Sequence, residues 1–402
     1  MDPARGHEAG GTRRQLGLIV LASVLFWTSL YVYVPVLPTH ARALGASLGV
    51  VGLVVGVYGL AQLVFRIPIG LASDWSGRRR SFIVVGMLAN ALGAVVLALS
   101  PAAWLLVIGR AITGIGASVF VILSIYLAEL MPSGQLARAA GLAVSISALS
   151  QLGIMLVGGV VAEHFGVTLN FWVAVGLAVA GSLVLLPLPE RVGDGPAATP
   201  LRRDLVRSTL HPSVRNVALL AALLQFGNFA ATYGFVPLYA AELGASNADL
   251  GVVATVAVGA AAAAALLLAW RGDRINARVA VVAGFGIAAA GTVVIPLIHD
   301  LTLLSASQAL SGFGRGLAFP SLLASSIRHV PSAERGTAMG VFQAVYAIGM
   351  FLGPAVSGVL ADLLGLEGVF VLIAALSIVG GVAGLRVFPS TRAVRPDPTQ
   401  VM

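Results

Sequence analysis

The chain of 402 residues contains neither cysteine nor lysine, and the missing cysteine removes a class of site. Without cysteine there can be no disulfides and no thiolate ligands for zinc. The six histidines lie in the tails or at predicted helix ends and do not cluster, so the usual zinc spacings are missing as well. We therefore expect no bound metal ion and no cofactor.

Charged residues are also scarce, at 10% of the chain against about 25% in soluble domains. Apolar residues make up 58%, and the mean hydropathy is +0.97. A transmembrane helix needs about 20 mainly apolar residues. The sequence predicts an all-α membrane protein with twelve such helices, which we call span 1 to span 12: 16–38, 48–72, 82–99, 103–128, 139–162, 168–188, 215–239, 250–270, 279–298, 302–326, 337–361 and 368–387.

The two halves of the chain repeat each other at an offset of 199 residues. The segment Leu-Gly-Ala-Ser at 44–47 returns at 243–246, and Asp74 returns as Asp273. Parallel repeats in a polytopic membrane protein are typical of transporters whose halves rock about a central site. The predicted organisation is two pseudo-symmetric six-helix bundles joined by a linker and flanked by tails: bundles 15–188 and 214–388, linker 189–213, tails 1–14 and 389–402.

All 24 basic residues are arginines, and their distribution predicts the orientation. Three of them, Arg66, Arg110 and Arg315, fall inside spans. Of the remaining arginines, only Arg42 lies on one face of the membrane, which we call the Arg-poor face. The others occupy tails and loops on the opposite face, which we call the Arg-rich face. By the positive-inside rule the Arg-rich face is cytoplasmic, with both termini and the linker, in a plasma (inner) membrane. The pI of about 10.7 then reflects topology, and we expect no nucleic-acid partner.

The loop between span 2 and span 3 carries the most specific motif. Within residues 70–80, Gly70, Asp74, Gly77 and Arg78 follow a spacing that resembles the signature loop of the major facilitator superfamily. Topogenic charge alone would explain the arginines but not the Gly–Asp–Gly spacing. The resemblance extends over residues 15–388 and implies a twelve-helix secondary transporter that works by alternating access, with Gly70 permitting close helix contact.

The same loop predicts a gate at the Arg-rich face. Asp74 and Arg78 are four residues apart and can pair, and Glu129 ends span 4 on the same face. We also expect Asp74 to lie near the N-terminus of span 11, around residues 334–337, where the positive helix end favours a carboxylate. The full set of gate candidates includes the corresponding positions of the second repeat, where Asp273 is expected to pair with Arg328: Gly70, Asp74, Gly77, Arg78, Glu129, Asp273 and Arg328.

Two motifs inside spans also resemble this superfamily. Arg110 begins a span 4 motif, and in the family this arginine is tied to proton coupling or to substrate handling; a purely structural role, bonded to neighbouring carbonyls, is the alternative. Span 11 carries Gly353-Pro354, which resembles a motif of exporters. In that family the Gly-Pro motif stands in span 5, where this chain has Ile154-Met155, and this difference weakens the case for a proton-driven antiporter.

No acidic residue falls deep within a span, whereas three arginines do. Proton-coupled transporters usually bury a titratable acid or histidine, so whether a proton or a counter-anion is the coupling ion stays open. The central cavity is expected between spans 1, 4, 7 and 10, with spans 5 and 11 reaching in. Its substrate-binding candidates are Trp27, Tyr31, Arg110, Thr113, Gln151, Asn228, Phe229, Gln308, Ser311, Arg315 and Tyr346.

The overall pattern most resembles the drug-efflux-like branch of this superfamily, and the resemblance implies export of small organic or amphipathic compounds. The alternative is an importer or exchanger of organic anions held by Arg110 and Arg315. An intramembrane enzyme is disfavoured because the chain has no His-Glu-x-x-His, no Gly-x-Ser-x-Gly and no cysteine nucleophile. The expected partners are the lipid bilayer and a small-molecule substrate, and the chain is expected to act as a monomer.

Overall fold

The computed structural model describes residues 3–131, 136–190, 212–271, 275–328, 330 and 335–388. The predicted linker (apart from its ends), the tail 389–402 and the gate candidate Asp273 lie outside this part of the chain. The first helix begins at Pro3, within the tail predicted at 1–14.

The first six spans form the N-terminal bundle. Span 1 is broken near its Arg-poor end, and span 4 is interrupted after Ala117. Their helices are Pro3–Tyr31, Val34–Val36 (3-10) and Leu37–Ala43 (span 1), Leu48–Ser76 (span 2), Arg79–Ala98 (span 3), Ala103–Ala117 and Phe120–Glu129 (span 4), Leu136–Phe165 (span 5) and Val167–Leu185 (span 6).

The C-terminal bundle repeats this arrangement. Span 7 is interrupted by a π-helical turn, Ala231–Phe235, which corresponds in the repeat to the break in span 1. The helices are Pro212–Ala230 and Val236–Glu242 (span 7), Asn247–Arg271 (span 8), Ala277–Val293 with Ile295–Leu297 (3-10) (span 9), Leu301–Ile327 (span 10) and Arg335–Val387 (spans 11 and 12).

The number of spans agrees with the sequence prediction. In the described residues, ten segments are long and apolar enough to cross a membrane, and the last of them, Ala338–Val387, is 50 residues long. Its backbone is non-helical at Gly365, so it consists of two spans. The 27-residue helix Leu301–Ile327, rich in serine and glycine, supplies the remaining one. The all-α membrane fold is thereby confirmed, and the described residues are consistent with twelve spans.

Four of the glycines that recur between the halves have a conformational reason to do so. Gly45 and its repeat mate Gly244 have φ of 80° and 85°, and Gly166 and its mate Gly365 have φ of 85° and 76°. Side chains are disfavoured in this left-handed region, so glycine is the residue that makes these turns at low cost. The turns return the chain at the Arg-poor face and place consecutive spans antiparallel.

Glycines on span 11 let it lie against two helices at once. A Cβ at Gly349 or Gly353 would overlap the backbone carbonyls of Ala222 or Phe226 on span 7. On its other side, Gly52 of span 2 leaves no room for a Cβ against the Pro354 carbonyl. Small residues allow such close approach where lipid supplies no hydrophobic drive between helices. Span 11 thus packs within its own bundle and forms the seam with the other bundle.

We expect Gly353→Ala to destabilise the protein by about 1–3 kcal/mol, because overpacking at a helix contact forces the backbones apart. Thermal unfolding in detergent should give a melting temperature several degrees lower. Gly286→Ala in span 9 is the matched control, since a Cβ there meets nothing within 4 Å. Equal melting temperatures for the two variants would contradict the packing role of Gly353.

Candidate functional site

A central cavity lies where spans 1, 2, 4 and 7 meet, between the two bundles. The space inside is enough for about one water molecule, so the cavity is closed in this conformation. Its walls are mainly apolar and aromatic, with one arginine: Leu30, Tyr31, Val34, Leu37, Val55, Tyr58, Arg110, Phe229 and Tyr233.

A series of aromatic rings runs from one bundle to the other, and three of its members, Tyr31, Tyr233 and Phe229, line this cavity. In the N-terminal bundle, the ring centroid of Trp27 lies 4.9 Å from that of Phe120 and 5.8 Å from that of Tyr31. The Tyr31 ring then lies 6.1 Å from Tyr233 in span 7, and Tyr233 lies 5.1 Å from Phe229. The candidates Trp27, Tyr31 and Phe229 are therefore brought together. We call these five residues the aromatic series.

Two aromatic residues of the cavity lining, Tyr58 and Tyr233, were not among the sequence-based candidates. Tyr233 lies in the π-helical turn, whose altered register no sequence periodicity indicates. Tyr58 could have been found, because Tyr58, Gln62 and Arg66 recur every four residues and therefore share one face of span 2. Its ring stacks at 6.4 Å on Phe229 of the opposite bundle.

Arg110 is buried against tyrosine rings. Its side chain is 4% exposed, and its guanidinium carbon lies 4.4 Å from the Tyr58 ring centroid and 5.7 Å from that of Tyr33. Nη1 also donates a hydrogen bond of 3.3 Å to the Tyr33 hydroxyl. The negative faces of the rings stabilise the cation where no carboxylate of the described residues pairs with it. Its Nε–H is buried without an acceptor.

The polar candidates on span 10 are not among the described residues that line the cavity, although span 10 was expected to contribute to it. Gln308 is buried and accepts a hydrogen bond of 3.4 Å from Thr232 of span 7, while its Nε2 has no acceptor. Arg315 keeps part of its surface accessible. The Ser311 hydroxyl lies 3.3 Å from the Thr292 hydroxyl of span 9, so Ser311 faces a neighbouring helix of its own bundle.

Thr113 on span 4, like Ser311, contacts a neighbouring helix of its own bundle. Its hydroxyl donates to the Arg110 carbonyl at 3.0 Å, and its methyl group lies against Gly93 of span 3. Helical spacing placed Thr113 near Arg110, but the close contact between spans 3 and 4 takes up its side chain. Thr113 and Ser311 are therefore packing residues between neighbours of the same bundle.

The remaining candidates lie outside the cavity lining. Gln151 donates a 2.8 Å hydrogen bond to the Ser147 hydroxyl on its own helix. Asn228 donates to Gln225, also on its own helix, at 3.4 Å. Tyr346 belongs to a separate polar cluster on the seam between spans 2 and 11.

That seam cluster is centred on Arg66. Its Nη1 donates hydrogen bonds of 3.0 Å to Gln343 and 3.1 Å to the Tyr346 hydroxyl, both on span 11. Its Nη2 donates to Gln62 on span 2. These contacts of Arg66 join one bundle to the other. Gln62 and Gln343 were missed, although a polar residue near a buried arginine is a signal that could have been used.

The charge cluster at the Arg-rich face forms with a different arginine from the one predicted. Arg79 lies between two carboxylates, with Nη2 3.6 Å from Asp74 and Nε 3.1 Å from Glu129. Gly77 adopts φ of 66° and ends span 2, and span 3 starts at Arg79, so the turn carries Arg78 out to an exposed position. The cluster joins spans 2, 3 and 4 of a single bundle.

Other gate candidates make few contacts. A Cβ at Gly70 would meet nothing within 4 Å, so the predicted close helix contact there is absent. Arg328 is exposed at the end of span 10, and its expected partner Asp273 lies outside the described residues. The contact predicted between Asp74 and residues 334–337 also falls on positions whose side chains are not described.

The sequence pattern of the Major Facilitator Superfamily matches residues 19–241 and 217–401, which together cover nearly all of the described chain. The chain belongs to this superfamily. It is a multi-pass membrane transporter rather than an enzyme.

Individual proteins of known name resemble this chain only distantly in sequence identity or over part of their length. The inner membrane transport protein YajR of Escherichia coli is 36% identical over 154 residues, which are 38% of this chain and 33% of that protein. The uncharacterized MFS-type transporter MJ1560 of Methanocaldococcus jannaschii is 24% identical over 364 residues, covering 87% and 91%. A bacterial homologue of the human lysosomal transporter Spinster, solved inward-facing and occupied, superposes with a TM-score of 0.76 at 16% identity, covering 96% and 97%. This last likeness concerns the fold.

We expect Arg79→Gln to lower stability by about 1 kcal/mol, because it removes the cation between two partly exposed carboxylates. Arg78→Gln is the matched control: it removes the same charge from the neighbouring exposed position and should leave the melting temperature unchanged. Thermal unfolding of the two variants in detergent measures the difference. If Arg78→Gln lowers the melting temperature more than Arg79→Gln does, the result would support the predicted pair of Asp74 with Arg78 and contradict the cluster around Arg79.

Proposed function

We propose that this transporter exports small organic and amphipathic compounds across the plasma (inner) membrane. The Arg-rich face with both termini is cytoplasmic, as the positive-inside rule favours. The two six-helix bundles alternate in access about the central cavity. The bundles are residues 15–188 and 214–388, connected by the cytoplasmic linker.

The aromatic series is the observation that carries this proposal. Aromatic rings bind apolar and aromatic bodies over large areas while imposing few directional demands. The five rings belong to both bundles, so a compound between Tyr31 and Tyr233 would contact each half and be released when the halves separate. Tyrosine hydroxyls and the Trp27 indole N–H would contact the polar end of an amphipathic compound.

A second candidate, an importer or exchanger of organic anions, is favoured by the donors around the cavity. Nε of Arg110, Nε2 of Gln308 and Nε1 of Trp27 are all buried without acceptors. No Asp or Glu is among the residues that line the cavity. Unpaired donors beside the buried cation of Arg110 would suit a carboxylate or sulfonate. A counter-anion would then be the coupling ion in place of a proton.

The export proposal is tested by Trp27→Ala in proteoliposomes loaded with fluorescent amphipathic dyes. Loss of the ring that joins Phe120 to Tyr31 should raise the KM for a transported dye about tenfold, since a pair of aromatic rings contributes up to about 1.5 kcal/mol beyond the area it buries. Trp172→Ala is the control, because Trp172 is 45% exposed on the outer surface of span 6. If the wild type transports no dye and organic anions compete for its binding site instead, the result would favour the second candidate.

Arg315 distinguishes the two candidates at a single residue. For an anionic substrate, Arg315→Ala should abolish transport without lowering the melting temperature, while Arg315→Lys should keep part of it because the charge remains. For neutral amphipathic compounds, both variants should transport close to the wild-type rate. Arg271→Ala, which removes an exposed arginine at the end of span 8, controls for net charge. Uptake of a labelled organic anion into proteoliposomes is the measurement.

A further inference from the structure

The two bundles touch at the Arg-poor face through a carboxylate and the start of a helix. Asp362, at the end of span 11, accepts two backbone hydrogen bonds from the first residues of span 2 in the other bundle. The Leu48 amide donates to Oδ1 at 2.9 Å, and the Gly49 amide donates to Oδ2 at 2.8 Å. No arginine of the described residues pairs with this carboxylate.

The same contact recurs with the bundles exchanged. Glu163, at the end of span 5, accepts a 2.8 Å hydrogen bond from the amide of Asn247, the first residue of span 8. Glu163 and Asp362 are repeat mates, and so are Leu48 and Asn247, at the offset of 199 residues. Each bundle therefore supplies one carboxylate and receives one.

These contacts are favourable for a general physical reason. The first amides of a helix have no partner within it, and the helix end carries a partial positive charge. A carboxylate that accepts such amides makes charge-assisted hydrogen bonds. Both groups lie at the protein surface, and water would hydrate them when the bundles part. The contact is therefore strong enough to favour the closed over the open state of the Arg-poor face, and weak enough to break when the bundles part.

The neighbouring glycines allow the close approach that these contacts need. A Cβ at Gly49 would lie 2.9 Å from Asp362 Oδ2, and a Cβ at Gly358 would lie 2.5 Å from the Leu48 carbonyl. At the second contact, a Cβ at Gly159 would lie 2.8 Å from the Cα of Gly251. Gly159 and Gly358 are again repeat mates.

We propose that Asp362 and Glu163 are gate residues that hold the Arg-poor face closed during the transport cycle, each acting on the helix start of the opposite bundle. We call the two contacts the carboxylate latches. They differ from the Asp74–Arg79–Glu129 cluster, which joins helices of one bundle, because they exist only while the bundles are together. The proposal concerns the conformational cycle and is independent of the substrate.

Distance measurements by electron spin resonance test the latches directly, because the natural chain has no cysteine to interfere with labelling. Spin labels at Ala43→Cys and Leu364→Cys occupy exposed positions at the Arg-poor ends of the two bundles. Asp362→Asn and Glu163→Gln should each raise the ratio of molecules with a long distance between the labels to molecules with a short one about five- to tenfold. The double variant should raise this ratio further. Glu367→Gln removes an exposed acid on the same face and should leave the ratio unchanged.

A backbone variant keeps the test informative if an acid variant folds poorly. Leu48→Pro removes one latch donor and leaves Asp362 intact; proline is tolerated at the first helical position, and the preceding Ser47 is already extended. It should raise the ratio about threefold. Unchanged distances in both the double acid variant and Leu48→Pro, with wild-type melting temperatures, would overturn the proposal. No substrate is present, so this result is independent of the proposed cargo.

Discussion

The close approach of helix backbones along span 11 is the constraint on which the rest of the structure depends. Lipid provides no hydrophobic drive between helices, so attraction requires contact at short range. Gly353 allows span 11 to reach span 7, and Gly52 allows span 2 to reach Pro354. One helix is thereby fixed within its bundle and also forms the seam with the other. The cavity, the Arg66 cluster and the Asp362 latch all lie along or beside this seam.

Buried charge is handled in this protein by aromatic rings and amides. Arg110 lies over the rings of Tyr58 and Tyr33, and Arg66 donates to amide and hydroxyl oxygens. Acids are kept at the faces, where Asp74 pairs with Arg79 and Asp362 accepts backbone amides. A cavity whose described lining contains one arginine and no carboxylate differs from one built to bind a proton, and this difference underlies both substrate classes proposed for the site.

The two faces of the membrane use their charges differently. At the Arg-rich face, Arg79 ties together helices of the N-terminal bundle and so stiffens it as a unit. At the Arg-poor face, Asp362 and Glu163 act across the division between bundles. Rigid bundles and reversible contacts between them are both needed if the halves are to move as bodies.

The sequence by itself determined the all-α membrane fold, the twofold repeat and the superfamily, because a lipid environment forces long apolar helices and glycine is the residue that makes the Arg-poor turns at positive φ at low cost. It also indicated Trp27, Tyr31 and Arg110 as neighbours of the cavity. Only the tertiary structure decided which arginine joins Asp74, since a one-residue change in where a helix starts separates Arg79 from Arg78. Only the tertiary structure showed that Gln308 contacts span 7 whereas Ser311 contacts span 9. Helical spacing predicts which residues share a face of a helix but not which neighbouring helix that face contacts. The latches were equally hidden: a carboxylate bound to backbone amides leaves no partner side chain in the sequence to reveal it.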